Sequence, residues 1–225
     1  MPLLKSTKYS FQGLLVCLIA LFVVYPLVHS YPGAKFLFNV LTTGIVLFSV
    51  FVFSRKRIVL WVGLGFAGPI LIFDWASIFS PSIFPPIIGI VLKSLFFAYI
   101  IYILLVNVFQ TDKITTDLIY GSICIYLLLG LEWAFIYSIL DFARPGSIRF
   151  EMLEGASGEF NREIVQRLPH YLYFSFTTLT TLGYGDITPQ TLSARMMTSM
   201  ESILGQFYLT VLVARLIGLH LVRKQ

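Results

Sequence analysis

Apolar residues run through this chain in stretches of about 20, each long enough to cross a bilayer as a helix. They lie at Gln12 to Val28, Ala34 to Phe53, Ile58 to Phe79, Pro86 to Phe109, Ile114 to Asp141 and Pro189 to Val222. Six spanning helices are therefore predicted. Between the fifth and sixth, a shorter apolar segment, His170 to Leu179 (HYLYFSFTTL), reads as one more helix, and Pro189 suits the start of the last one.

Composition changes this picture only by strengthening it. Hydrophobic residues make up 57% of the chain and charged residues 12%, with a mean hydropathy of +0.85. An integral, all-α membrane protein is expected. Orientation follows from Lys and Arg in the short loops: Arg55, Lys56 and Arg57 form the clearest basic cluster, and Lys5, Lys8, Lys113, Arg223 and Lys224 fall on the same side. That side is read as cytoplasmic, which places both termini inside. Arg144, Arg149, Arg162 and Arg167 stand on the opposite side, accompanied by Glu151, Glu154, Glu159 and Glu163, as in a solvated outer turret. The net charge of +5 thus reflects topology and contact with anionic lipid, and nothing calls for nucleic acid. Lys5 and Lys8 before an apolar run, with Val28 and Ser30 placed like a cleavage site, also fit a secretory signal. The run is long for a signal core, so a retained helix is favoured.

The chemistry concentrates in Thr180-Thr181-Leu182-Gly183-Tyr184-Gly185-Asp186, or TTLGYGD. Glycine tolerates positive φ, so successive residues here can alternate backbone handedness and turn their carbonyl oxygens the same way. Several copies around one axis would form rings of oxygens able to replace the water shell of a cation. The preceding helix points its negative dipole end at the same place. The motif and its context closely resemble the tetrameric potassium-channel superfamily, of the six-helix type with one pore loop per subunit. Leu182 stands where Val is more frequent.

The resemblance implies that His170 to Leu179 is a re-entrant pore helix and that TTLGYGD is the selectivity filter. The carbonyls of Thr181, Leu182, Gly183 and Tyr184, with the Thr181 hydroxyl, would hold permeant K⁺; Thr180, Gly185 and Asp186 would support them. One filter strand cannot surround an ion, so a homotetramer in the bilayer is implied, held by side-chain packing in lipid. Residues 1–110 would form a charge-poor, sensor-like peripheral domain and residues 111–225 the pore domain. Where relatives carry a pore-helix carboxylate bonded to the aspartate after the filter, this chain has Thr177, so Asp186 needs another partner; Tyr173 is the candidate.

Voltage-gated relatives carry a row of basic residues on the fourth helix, where this chain has only Lys93. One charge moved through 100 mV is worth about 2.3 kcal/mol, so four subunits gather at most about 9 kcal/mol. Weak or absent voltage dependence is expected. Gly205 on the last helix coincides with a gating glycine of the family; it reads either as a hinge or as a site of close helix approach. Gln206, Leu209, Thr210 and Val213 are cavity-lining candidates at helical spacing from it.

Ionisable residues inside spans need partners. Asp74 and Lys93 could bridge the third and fourth helices. Counting 1.5 Å per residue, Glu132 lies about 14 Å and Glu201 about 18 Å below the outer helix ends. They are either a carboxyl pair or two separate acids bound to pore-helix hydroxyls or to Lys93 or Arg195, the second being favoured. Cys17 and Cys124 are read as packing residues and His29, His170 and His220 as scattered polar ones, with no metal-ligand spacing. No nucleophile–base constellation, small-molecule substrate site or phosphate loop is visible, so an enzyme is not expected. Only a few residues follow the last helix, so no cytoplasmic ligand-binding domain is expected either, and the compact chain suits a bacterial cytoplasmic membrane. The alternative function is a non-conducting, regulatory subunit of a heteromeric channel.

Overall fold

The computed structural model describes residues 10–28, 33–53, 57–79, 84–111, 115–150 and 164–222. In chain order the elements are α1 (Ser10–Val28), α2 (Ala34–Phe53), α3 (Arg57–Phe79), α4 (Phe84–Gln110), α5 (Thr116–Ala143), β1 (Ile148–Phe150), α6 (Ile164–Leu179), β2 (Ile187–Pro189) and α7 (Leu192–Val222). The basic residues Lys5, Lys8, Arg55, Lys56, Lys113, Arg223 and Lys224, the acids Glu151, Glu154, Glu159 and Glu163, and Ser30, His29 and Arg162 lie outside the described residues.

Among the described residues, four helical segments are long and apolar enough to cross a membrane: Val59–Ser77, Pro85–Gln110, Thr116–Ala143 and Leu192–Leu219. Phe11–Tyr25 and Phe36–Phe51 are shorter apolar helices. Helix ends are set by local chemistry. Pro85 and Pro86 sit in the first turn of α4, where a missing N–H costs little. Thr115 caps α5 by accepting the Leu118 N–H (3.2 Å).

One buried apolar core joins α1 to α5 and runs on into α6 and α7. Small residues set its closest approaches. A Cβ at Gly130 of α5 would overlap the Phe176 ring of α6, and that ring also meets Phe22 of α1 edge-on at 4.8 Å. The Phe97 ring of α4 stacks on Phe135 of α5, with 5.9 Å between centroids.

The structure corrects the all-helical expectation in three places. First, β1 and β2 form an antiparallel ribbon pairing Ile148 with Pro189, Arg149 with Thr188 and Phe150 with Ile187. Second, Pro189 ends that ribbon, and α7 begins only at Leu192. Thr191 starts it, its carbonyl accepting from the Arg195 N–H (3.0 Å) and its hydroxyl from the Ala194 N–H (3.3 Å). Third, α6 begins at Ile164, six residues before His170, and carries Pro169 inside it. Asp141 locks this end of the molecule. Its carboxylate accepts from the Ile148 N–H (3.2 Å) and the Tyr171 hydroxyl (2.7 Å), tying the end of α5 to both β1 and α6.

Candidate functional site

The last turn of α6 leaves carbonyls that need donors, and the chain supplies one to each. Phe176 O accepts from the Thr180 N–H (3.0 Å), Thr177 O from the Gly183 N–H (3.0 Å) and Thr178 O from the Thr181 N–H (2.9 Å). Leu179 O accepts a long bond from the Tyr126 hydroxyl (3.5 Å). The helix therefore offers its dipole field to whatever lies beyond it, while its terminal oxygens are engaged.

Beyond α6 the backbone alternates. Thr181 has φ 60°, Gly183 φ 54° and Gly185 φ 84°, whereas Leu182 and Tyr184 have negative φ. Every second residue is left-handed. Glycine takes that conformation freely, but Thr181 does so against a penalty of roughly 1–2 kcal/mol. The Leu182 and Tyr184 side chains are exposed in the single chain. The Tyr173 hydroxyl of α6 lies within electrostatic reach of the Asp186 carboxylate at the far end of the loop. A groove of about 400 Å³ lies against this loop, lined by Thr177, Thr178, Thr181 and Ser202 among others.

The phase of α7 is fixed by what it buries. Glu201, Gly205 and Tyr208 face α5 and α6, and the Tyr208 hydroxyl donates to Ser122 O (2.7 Å). Gln206, Leu209, Thr210 and Val213 are exposed in the single chain, together with Met200, Ile203 and Phe207. At Gly205 a Cβ would come within 2.5 Å of Leu179 O. The helix passes directly against the end of α6.

The model of a protein family described as "Ion channel" matches residues 90–219, more than half of the chain. The chain belongs to the ion channel family. No curated protein and no solved structure matches it.

The matched region of the channel spans α4 to α7 and so contains the loop, the groove and most of the buried polar groups. Glu132 and Glu201 have separate partners. Glu132 Oε1 accepts from the Ser94 hydroxyl of α4 (2.6 Å). Glu201 Oε1 lies 2.5 Å from the Ser175 hydroxyl of α6, and its Oε2 accepts from the Tyr137 hydroxyl of α5. Arg195, considered above as a partner for these acids, donates instead to Pro189 O (3.3 Å). With α7 starting at Leu192, Glu201 is about 14 Å along the helix rather than 18.

Lys93 of the channel sits 2.8 Å from Asp74, linking α3 and α4, and both side chains are almost fully buried. Gly89 makes room for this carboxylate, since a Cβ there would lie 2.9 Å from Asp74 Oδ1. Phe38 and Phe135 place their rings 5.7 and 5.9 Å from the ammonium. Both cysteines are free thiols, and the Cys124 Sγ donates to Phe11 O (3.6 Å). Sequence reasoning missed Tyr137, Ser94, Asp141 and Tyr171, and reached Ser175 only as one of the hydroxyls of α6. Each is an ordinary residue of an apolar helix until a partner from a distant segment meets it.

Proposed function

We propose that this ion channel is K⁺-selective and conducts passively through a pore built by four copies of the chain. The observation that carries the reading is the alternation of positive φ at Thr181, Gly183 and Gly185 within TTLGYGD. Alternating handedness is what turns the carbonyls of Thr181, Leu182, Gly183 and Tyr184 toward one side, where they and the Thr181 hydroxyl replace the hydration shell of K⁺. Thr180, Gly185 and Asp186 support that strand. In this reading α6 is a re-entrant pore helix whose dipole favours the cation, and α1 to α5 with α7 are six spans with both termini cytoplasmic, in a bacterial cytoplasmic membrane.

The fourfold assembly is supported by the groove against the loop and by the apolar face of α7. Leu192 (77%), Phe207 (63%) and Met196 (58%) of that face are open in the single chain. Neighbouring subunits and lipid would cover them. Gln206, Thr210 and Val213 would then line the water-filled cavity below the filter. Weak or absent voltage dependence fits the pairing of Lys93 with Asp74, because a gating charge held by a buried counter-ion is neutralised where it sits.

The test is reconstitution of the purified chain alone in planar bilayers under unequal KCl and NaCl. Reversal at the K⁺ equilibrium potential, with block by barium, is the expected result. Currents that reverse midway between K⁺ and Na⁺ would sink the selectivity, and current only after a second subunit is added would sink the homomeric pore.

A further inference from the structure

The Ser175 hydroxyl of α6 lies 2.8 Å from Gly130 O and 2.5 Å from Glu201 Oε1. A hydroxyl carries one hydrogen, and a peptide carbonyl and a carboxylate are both acceptors only. Ser175 cannot donate fully to both. The count closes if Glu201 carries a proton: Glu201 Oε1–H donates to Ser175, Ser175 donates to Gly130 O, and the Tyr137 hydroxyl donates to Glu201 Oε2. Every polar atom in the cluster then has a partner.

The surroundings favour the same state. Glu201 is 0% exposed. From α5 it meets the Tyr137 phenol, with the Tyr126 phenol further off; from α6 it meets Ser175; and β2 (Ile187–Pro189) offers nothing titratable. A carboxylate enclosed by hydroxyls, with no cation paired to it among the described residues, is the costly form.

We propose that Glu201 is a positioning residue which works as an un-ionised carboxylic acid, joining α5, α6 and α7 behind the conducting loop, and that loss of its proton releases this junction. The chemistry is simple. Hydroxide takes the Oε1 proton and leaves water and a carboxylate, and Ser175 then has two acceptors competing for its single hydrogen. The Glu201–Ser175–Gly130 chain breaks at one link. Because Ser175 is on the helix that ends at Leu179, two residues before Thr181, conduction falls at alkaline pH. Only this last step rests on the reading of α6 as the pore helix.

Glutamine separates the alternatives, since an amide is neutral at every pH and replaces the acid's O–H donor and C=O acceptor by an N–H donor and a C=O acceptor, with one further N–H. The full-length protein and its Glu201→Gln and Glu201→Ala variants would be reconstituted in the same lipid. Infrared difference spectra between wild type and Glu201→Gln near neutral pH should contain the carbonyl stretch of a protonated carboxylic acid, which fades reversibly as the pH rises. Glu201→Gln should conduct within a few-fold of wild type and lose the alkaline fall. Glu201→Ala should lose about tenfold, as expected when a buried hydrogen-bonding group is deleted. Absence of the carbonyl band overturns the proposal, as does a Glu201→Gln variant that assembles like wild type yet conducts as poorly as Glu201→Ala. If the wild type itself fails to conduct K⁺, the channel reading is what fails, and the infrared result still decides the state of Glu201.

Discussion

Gly205→Ala distinguishes a hinge from a close contact, and the structure supplies a magnitude. The added methyl would sit 2.5 Å from Leu179 O and 2.9 Å from Leu179 Cδ1, about 1 Å short of a comfortable separation at the oxygen. The leucine side chain can turn away, but the carbonyl is backbone and lies two residues before Thr181. Overpacking of this kind costs about 1–3 kcal/mol. Alanine returns up to about 1 kcal/mol through helix propensity. A net loss of about 1–2 kcal/mol follows, which for a chain of this size lowers the unfolding temperature by roughly 2–8 °C. Thermal unfolding of the detergent-solubilised protein measures it, with K⁺/Na⁺ permeability as a second readout that should shift because Leu179 moves. Gly218→Ala is the internal control. It lies on the same helix with nothing within 4 Å of its Cβ, so it should be neutral or slightly stabilising. If Gly205→Ala unfolds no lower than Gly218→Ala and keeps wild-type permeability, the close-contact reasoning is wrong.

Two further outcomes follow from the buried polar groups. Lys93→Met leaves Asp74 buried and uncompensated, so stability should drop by about 3–5 kcal/mol, and adding Asp74→Leu should restore most of it; equal losses in the single and double variants would contradict the pairing. Asp141→Ala strands the Ile148 N–H and the Tyr171 hydroxyl at about 1–3 kcal/mol and should speed hydrogen exchange at the β1–β2 amides, whereas unchanged exchange would mean that Asp141 does not hold the ribbon.

Much of the helical layout was legible because a bilayer-length apolar run needs no partner to be recognised. The run from Ala34 to Phe53 coincides with α2, and that from Ile58 to Phe79 starts one residue inside α3. The start of α7 was not legible. A strand of three residues has no measurable period, and β2 exists only because β1, far upstream, pairs with it. Pro189 has the shape of a helix opener, yet it closes a strand. For the candidate site, the glycine spacing of TTLGYGD announced the unusual backbone, but the positive φ of Thr181 is a property of the folded loop and leaves no mark on residue type. Glu132 and Glu201 were visible as acids out of place. A hydroxyl of the helix before TTLGYGD was the favoured partner, and Ser175 is one; Ser94 and Tyr137 were not legible, because they reach the acids across other helix interfaces.

The ribbon has a consequence for how such a chain can be rebuilt. Phe150 pairs with Ile187, so the chain departs and returns at points one strand spacing apart, about 4.8 Å. Everything between, including α6 and the glycine loop, is an excursion with a clasped neck. The whole excursion has the form of a cassette. Its surroundings need to match the clasp, the Asp141 tether and the contacts that α1, α4, α5 and α7 make with α6.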